Sequence, residues 1–93
     1  KLLNGPLKGK EYPVLSRKTV LGSDSACDIV LSGYPGVRTV HATVFLESGK
    51  VYVRPAGPDA GVLVNDGPAG DAALRPEDVL AVGKAKFLYG YFA

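Results

Sequence analysis

One cysteine, Cys27, and one histidine, His41, are the only residues of their kinds in this chain, and methionine and tryptophan do not occur at all. A lone cysteine excludes an internal disulfide framework and cannot by itself hold zinc, so nothing calls for an oxidising compartment. Long apolar runs are lacking too. None approaches the roughly 18 to 20 residues that span a bilayer, and the opening residues do not read as a signal peptide, so the chain reads as soluble. Charge of one sign is not in excess: the net charge is +2, with Lys and Arg spread along the chain rather than forming a run. There is no electrostatic footprint for DNA or RNA.

What is present fits a small domain rich in turns. The 93 residues are 46% apolar and 22% charged, with 12 Gly and 7 Pro. A chain of this size hides roughly 60 to 65% of its unfolded surface, enough for one modest core, and residues 1–93 are read as a single domain. It begins at Lys1 rather than Met and stops just after the apolar run Phe87-Leu88-Tyr89-Gly90-Tyr91-Phe92. It is therefore expected to be a piece of a longer protein, with any membrane anchor or catalytic domain outside it.

Short apolar stretches bounded by Gly, Pro, Asp and Asn recur about every ten residues, the pattern of an antiparallel sandwich or barrel. The expected strands are Lys1 to Asn4, Glu11 to Leu15, Thr19 to Leu21, Ile29 to Leu31, His41 to Glu47, Lys50 to Arg54, Val62 to Val64, Val79 to Val82 and Lys86 to Phe92. The clearest local element is the hairpin from His41 to Arg54. Its residues alternate faces with a period of two around Ser48-Gly49, where Gly supplies the positive φ of a tight turn. Asn4-Gly5-Pro6 and Asn65-Asp66-Gly67-Pro68 are further turns. No segment has convincing helical periodicity. The best candidate, Asp71 to Arg75, is limited to a single turn by Pro76.

Nothing in the chain assembles a catalytic group. Cys27 and His41 could supply a nucleophile and a base on composition alone. However, Cys27 precedes an apolar strand and reads as a small buried hydrophobe, and His41 opens a strand and reads as a hydrogen-bonded structural residue. Asp24 with Asp28, and Glu77 with Asp78, lie in turns where Asp commonly caps its own backbone. The Gly-containing loop Pro55 to Gly61 has no Lys-Ser/Thr and no helix after it, as a phosphate loop would. No catalytic residue, metal ligand or cofactor is assigned.

One longer pattern carries more information. It consists of Leu7-Lys8-Gly9-Lys10-Glu11-Tyr12, Val20-Leu21-Gly22, Cys27-Asp28-Ile29-Val30-Leu31, Val37 to Ala42 with its His41, Gly61-Val62-Leu63-Val64-Asn65, Leu74 to Val79, and Val82-Gly83. In order and spacing this resembles the forkhead-associated (FHA) domain. The resemblance implies an all-β, FHA-like antiparallel β-sandwich of about 10 to 11 short strands, in a family that binds phosphothreonine peptides through loops at one end. It also shows where the chain departs. Family members follow the turn Gly with a phosphate-binding Arg, whereas Gly22 is followed by Ser23. Their Ser-Arg-x-His motif is here Arg38-Thr39-Val40-His41, and their peptide-binding Asn-Gly is here Ala60-Gly61. Gly22, His41, Gly61 and Asn65 match, and in the family these mainly shape turns and brace loops.

A doubly charged phosphate needs several charge-assisted, directed hydrogen bonds, and Ser23 and Ala60 cannot replace those of the family. Arg38, with Arg17 or Lys18, is the remaining source of cation. A narrower resemblance accounts for both halves of the pattern. Gly-Ser-Asp, Cys-Asp-Ile-Val-Leu, the retained His and the opening Leu3 to Gly9 look like the cytoplasmic domain of the type III secretion inner-membrane ring protein, the YscD-like family.

That resemblance implies a non-catalytic protein-interaction module of an inner-membrane-anchored bacterial protein, with cytoplasmic parts of the secretion machine as partners. Ring assembly would come through the full-length protein. Phosphothreonine peptide, nucleic acid and direct membrane contact by this domain are not expected. The alternatives are a divergent phosphothreonine reader using Arg38, and a regulatory FHA domain attached to an enzyme or transporter. The expected interaction face comprises Ser23, Asp24, Ser25, Tyr34, Arg38, Thr39, Ala60, Gly61 and Asn65, within loops Ser23 to Ala26, Gly33 to Thr39 and Pro58 to Gly61. Tyr34, Pro35 and Arg38 serve as its anchors, and Gly22 and His41 as its braces.

Overall fold

The computed structural model of the chain describes residues 1–13, 18–57, 60–68 and 70–90. Nine strands form among them: β1 (Thr19–Gly22), β2 (Ile29–Val30), β3 (Ala42–Glu47), β4 (Lys50–Pro55), β5 (Val62–Val64), β6 (Gly67–Pro68), β7 (Ala72–Leu74), β8 (Val79–Val82) and β9 (Ala85–Leu88). They build two sheets, of order β2-β1-β3-β4-β7 and β6-β5-β8-β9. All pairings are antiparallel except β1 with β2. A parallel pair normally needs a long crossover. Here only Leu21↔Ile29 and Gly22↔Val30 are paired, so a short loop suffices for the return.

The two sheets close on one core. Leu21, Ala42, Val44, Val51, Val53 and Leu74 face inward from the first, and Val62, Leu80, Val82, Ala85 and Phe87 from the second. The β3–β4 hairpin forms as the alternation implies, in the register Glu47↔Lys50 to Ala42↔Pro55. Its turn places both Ser48 (φ 51°) and Gly49 (φ 76°) in the left-handed region, the type I′ geometry whose twist matches that of the strands. Asn65 (φ 52°) and Asp66 (φ 67°) repeat it between β5 and β6.

Three sequence expectations change. Asp71 to Arg75 holds no helical turn: Ala72–Leu74 is β7, because the exposed edge of β4 offers it a ladder, Val51↔Leu74 to Val53↔Ala72. Lys1 to Asn4 forms a single bridge, Leu2↔Phe87, rather than a strand. Glu11 to Pro13 has no ladder, while Val14 and Leu15 lie outside the described residues, as do Tyr91 and Phe92 of the last expected strand. The amino-terminal segment is anchored by side chains instead. The Tyr34 hydroxyl, inside the core, donates to the Asn4 carbonyl (2.8 Å) and accepts from the Leu7 N–H (3.0 Å).

Candidate functional site

Three connections meet at one end of the sandwich: residues 23–28 after β1, 31–41 between β2 and β3, and the described residues 56–57 and 60–61 between β4 and β5. His41 is the side chain that ties them, and it is 2% exposed. Its Nδ1 accepts from the Arg38 N–H (3.1 Å), so its Nε2 carries the proton and donates to the Gly61 carbonyl (2.8 Å). Its backbone is anchored as well. The His41 N–H donates to the Leu21 carbonyl (2.8 Å), and its carbonyl accepts from the Ala56 N–H (2.9 Å). The ring therefore sets the spacing between the second and third connections.

The first connection is stitched to the second by backbone groups. Ser23 N–H donates to the Arg38 carbonyl (2.9 Å) and Asp24 N–H to the Thr39 carbonyl (3.2 Å). Asp24 then turns the chain back on itself: its Oδ1 accepts from the Ala26 N–H (2.9 Å) and its carbonyl from the Cys27 N–H (3.0 Å). This is the local side-chain capping that short Asp residues perform in turns. Four of the five N–H groups from Ser23 to Cys27, those of Ser23, Asp24, Ala26 and Cys27, are thus engaged internally, and the loop carries the carboxylates of Asp24 and Asp28. A loop with most of its N–H groups turned inward and two carboxylates is a poor cradle for an anion.

Gly22 makes this stitching possible. A Cβ there would fall on the Thr39 backbone carbonyl and lie 2.9 Å from the Cys27 sulfur. Cys27, buried, donates through Sγ to the same Thr39 carbonyl (3.2 Å). Burial, and then the negative charge of Asp24, push its thiol above the ordinary range. The protonated form is held, which is the inert state of a cysteine. Cys27 and His41 are bonded to different groups and do not form a nucleophile–base pair. Among the described residues, no group of three or more His, Cys, Asp or Glu could hold a metal ion.

The nine residues expected on the face divide into two sets. Asp24, Ser25, Arg38, Thr39 and Gly61 are exposed at this end, and Ser23 is half-buried beside them. Tyr34 and Ala60 are corrections, at 6% and 4% exposure. The Tyr34 ring fills core space and its hydroxyl pins the amino-terminal loop, so it is no anchor for a partner. Ala60 turns inward, and its N–H closes a turn on the Gly57 carbonyl (3.1 Å). Asn65 is the third correction, since it sits at the far end of β5. Arg17, Pro58 and Asp59 lie outside the described residues.

One residue of this end escaped the sequence reading. Val40 is 47% exposed between Thr39 and the buried His41. Extending the period of β3 backwards from Val44 and Ala42 would bury Val40, but His41 takes the interior place and turns Val40 out.

Asn65 has a structural task of its own. Its Oδ1 accepts from the Val79 N–H (2.9 Å), and its Nδ2 donates to Asp78 Oδ1 (2.9 Å), while Asp78 Oδ2 accepts from the Arg75 N–H (2.8 Å). The Arg75 N–H, and then the Asn65 amide, hold the Asp78 carboxyl below its ordinary value of 3.8. A carboxyl depressed in the fold stabilises it above the ordinary value, and that contribution disappears as pH falls through the lower, folded value. Melting temperature followed below about pH 4 should therefore drop less steeply in Asp78→Asn than in the unaltered chain. Parallel curves would show that Asp78 does not couple to folding.

A family model described as the cytoplasmic domain of the inner-membrane component of the type III secretion system matches residues 1–90. No curated protein matches the chain. Among solved structures, the FHA domain of CT664 from Chlamydia trachomatis is similar at a TM-score of 0.86 and 27% identity, over 100% of this chain and 95% of that one. An FHA domain studied for phosphothreonine-dependent interactions gives a TM-score of 0.86 at 18% identity, over 100% and 94%. The cytoplasmic domain of the sorting platform protein PscD from P. aeruginosa gives 0.76 at 20% identity, over 91% and 72%. The shared FHA fold is thereby established.

Proposed function

Because the chain belongs to the family of cytoplasmic domains of type III secretion inner-membrane components, we propose that it is a non-catalytic docking domain that binds other cytoplasmic proteins of the secretion machine without reading phosphothreonine. The observation that carries this reading is the engagement of the loop donors. His41, kept from the family pattern, and the N–H groups of Ser23 and Asp24 all bond within the domain, so these groups serve to hold the loops together. The absence of an enzymatic role is supported by the same geometry: both nitrogens of His41 are engaged and the Cys27 thiol is held protonated.

The docking face is built from Asp24, Ser25, Arg38, Thr39 and Val40. Arg is among the residues that contribute most at protein interfaces, and Val40 adds exposed apolar area beside it. The face is tested by co-purifying the full-length protein with the other cytoplasmic components, with and without phosphatase treatment. Association should survive dephosphorylation and weaken at least about tenfold in Val40→Asp/Arg38→Glu. Association abolished by phosphatase would favour the divergent reader that uses Arg38, and association untouched by the double substitution would remove this face from the interface.

A further inference from the structure

Five lysines that are scattered in the sequence lie together along one edge of the folded domain. The amino-terminal segment runs beside β9: Leu88 N–H donates to the Lys1 carbonyl (2.7 Å), and Leu3 N–H to the Lys86 carbonyl (2.8 Å). The segment then folds back, Leu2 N–H donating to the Lys10 carbonyl (2.9 Å) and Gly9 N–H to the Leu2 carbonyl (2.8 Å). The Asn4 amide clasps the β8–β9 turn by donating to the Lys84 carbonyl (2.9 Å) and accepting from the Lys86 N–H (3.1 Å). Lys1, Lys8, Lys10, Lys84 and Lys86 are all exposed, and among the described residues none of their side chains enters an ion pair.

The charge of the chain is divided by this arrangement. Of eleven Lys and Arg and nine Asp and Glu, five cations and one carboxylate, Glu11, fall in residues 1–13 and 83–88, which leaves six cations and eight carboxylates elsewhere. A chain of net charge +2 thus has a strongly basic edge on an otherwise acidic body. One exposed leucine lies among these lysines and a second lies two strands away. Leu3 (36% exposed) is hydrogen-bonded to Lys86, and Leu63 (37%) lies in the cross-strand row Leu63–Ala81–Lys86.

Contrary to the sequence expectation of no direct membrane contact, we propose that this edge binds the anionic phospholipid headgroups of the membrane beside which the domain is held. Lysine is a hydrated point charge on a flexible stem and suits headgroups that present no fixed geometry. Several such charges near an anionic leaflet add their attractions, and apolar side chains between them reach the headgroup boundary. Membership in a family of inner-membrane components supplies the bilayer at high local concentration, so each contact can be weak. This surface is distinct from the docking face proposed above and does not depend on it.

Co-flotation of the chain with vesicles is the test. Vesicles containing about 30% phosphatidylglycerol should capture it at about 50 mM salt, and vesicles of phosphatidylcholine alone should not. Capture should fall at least about tenfold at 300 mM salt, and similarly in Lys8→Glu/Lys84→Glu/Lys86→Glu. The corresponding triple Arg variant should retain it, and Lys50→Glu, on β4 of the other sheet, should leave it unchanged. Each single Lys→Glu substitution should give a partial loss, so the test stands even if the triple variant melts. No capture of the unaltered chain at low salt would overturn the proposal, as would equal capture of the Glu variants. Binding of polyglutamate without binding of vesicles would likewise overturn it, in favour of an acidic protein partner.

Discussion

His41→Ala is expected to lower stability by about 2–4 kcal/mol, because it removes a buried ring and leaves two part-buried backbone groups without partners. The groups are the Arg38 N–H and the Gly61 carbonyl, both now satisfied by the ring. Either loss alone costs about 1–3 kcal/mol where water cannot replace the bond. In a domain of this length the melting temperature should fall by on the order of 10–20 °C. His41→Gln keeps an acceptor and a donor on one planar group and should lose less than half as much. If Ala and Gln cost the same, the ring matters through its volume and the bracing role is wrong.

Gly22→Ala is the second large effect. The new methyl would meet the backbone carbonyl of Thr39, which cannot swing aside as a side chain can. The same carbonyl accepts from the Asp24 N–H and from the Cys27 thiol, so moving it disturbs two further bonds. Gly22 also accepts from the Leu31 N–H (2.7 Å) at the end of the parallel pair. Overpacking of this kind costs about 1–3 kcal/mol, and the obstructing backbone places Gly22→Ala at the upper end of that range. Gly61→Ala provides the contrast: a Cβ there meets nothing within 4 Å, so thermal melts should change by less than about 0.5 kcal/mol. A neutral Gly22→Ala would mean that the first and second connections are free to separate.

The two glycines look alike in the sequence, and this marks the limit of what could be read there. Where structure follows from neighbours in the chain, it was legible: the period of two in β3 and β4, the turns at Ser48-Gly49 and Asn65-Asp66, and the inward place of Cys27 and His41. Where it follows from a strand arriving from elsewhere, it was not. Asp71 to Arg75 has no strong pattern of its own and became β7 because β4 had an open edge.

The candidate site shows the same division. The type and position of His41 mark it as a hydrogen-bonded structural residue and the family resemblance implies a brace, but its partners at Arg38 and Gly61 depend on three connections meeting. Tyr34 was placed on the surface because it lies in a loop, yet the loop passes over the core and the amino-terminal segment covers it. Val40 follows the period of β3 inward, and only the interior place of His41 turns it out. The lysines at both ends of the chain formed no run, and only the pairing of residues 1–3 with β9 brings them together.

The central claim is that the loops of this FHA fold hold each other and do not hold phosphate. The most direct test is titration of the isotopically labelled chain with a degenerate phosphothreonine peptide library, following the amide resonances of Ser23, Asp24, Arg38 and Gly61. These resonances should stay unshifted, with no saturable binding up to about 1 mM peptide. Saturation at micromolar peptide that vanishes on dephosphorylation and in Arg38→Ala would contradict it.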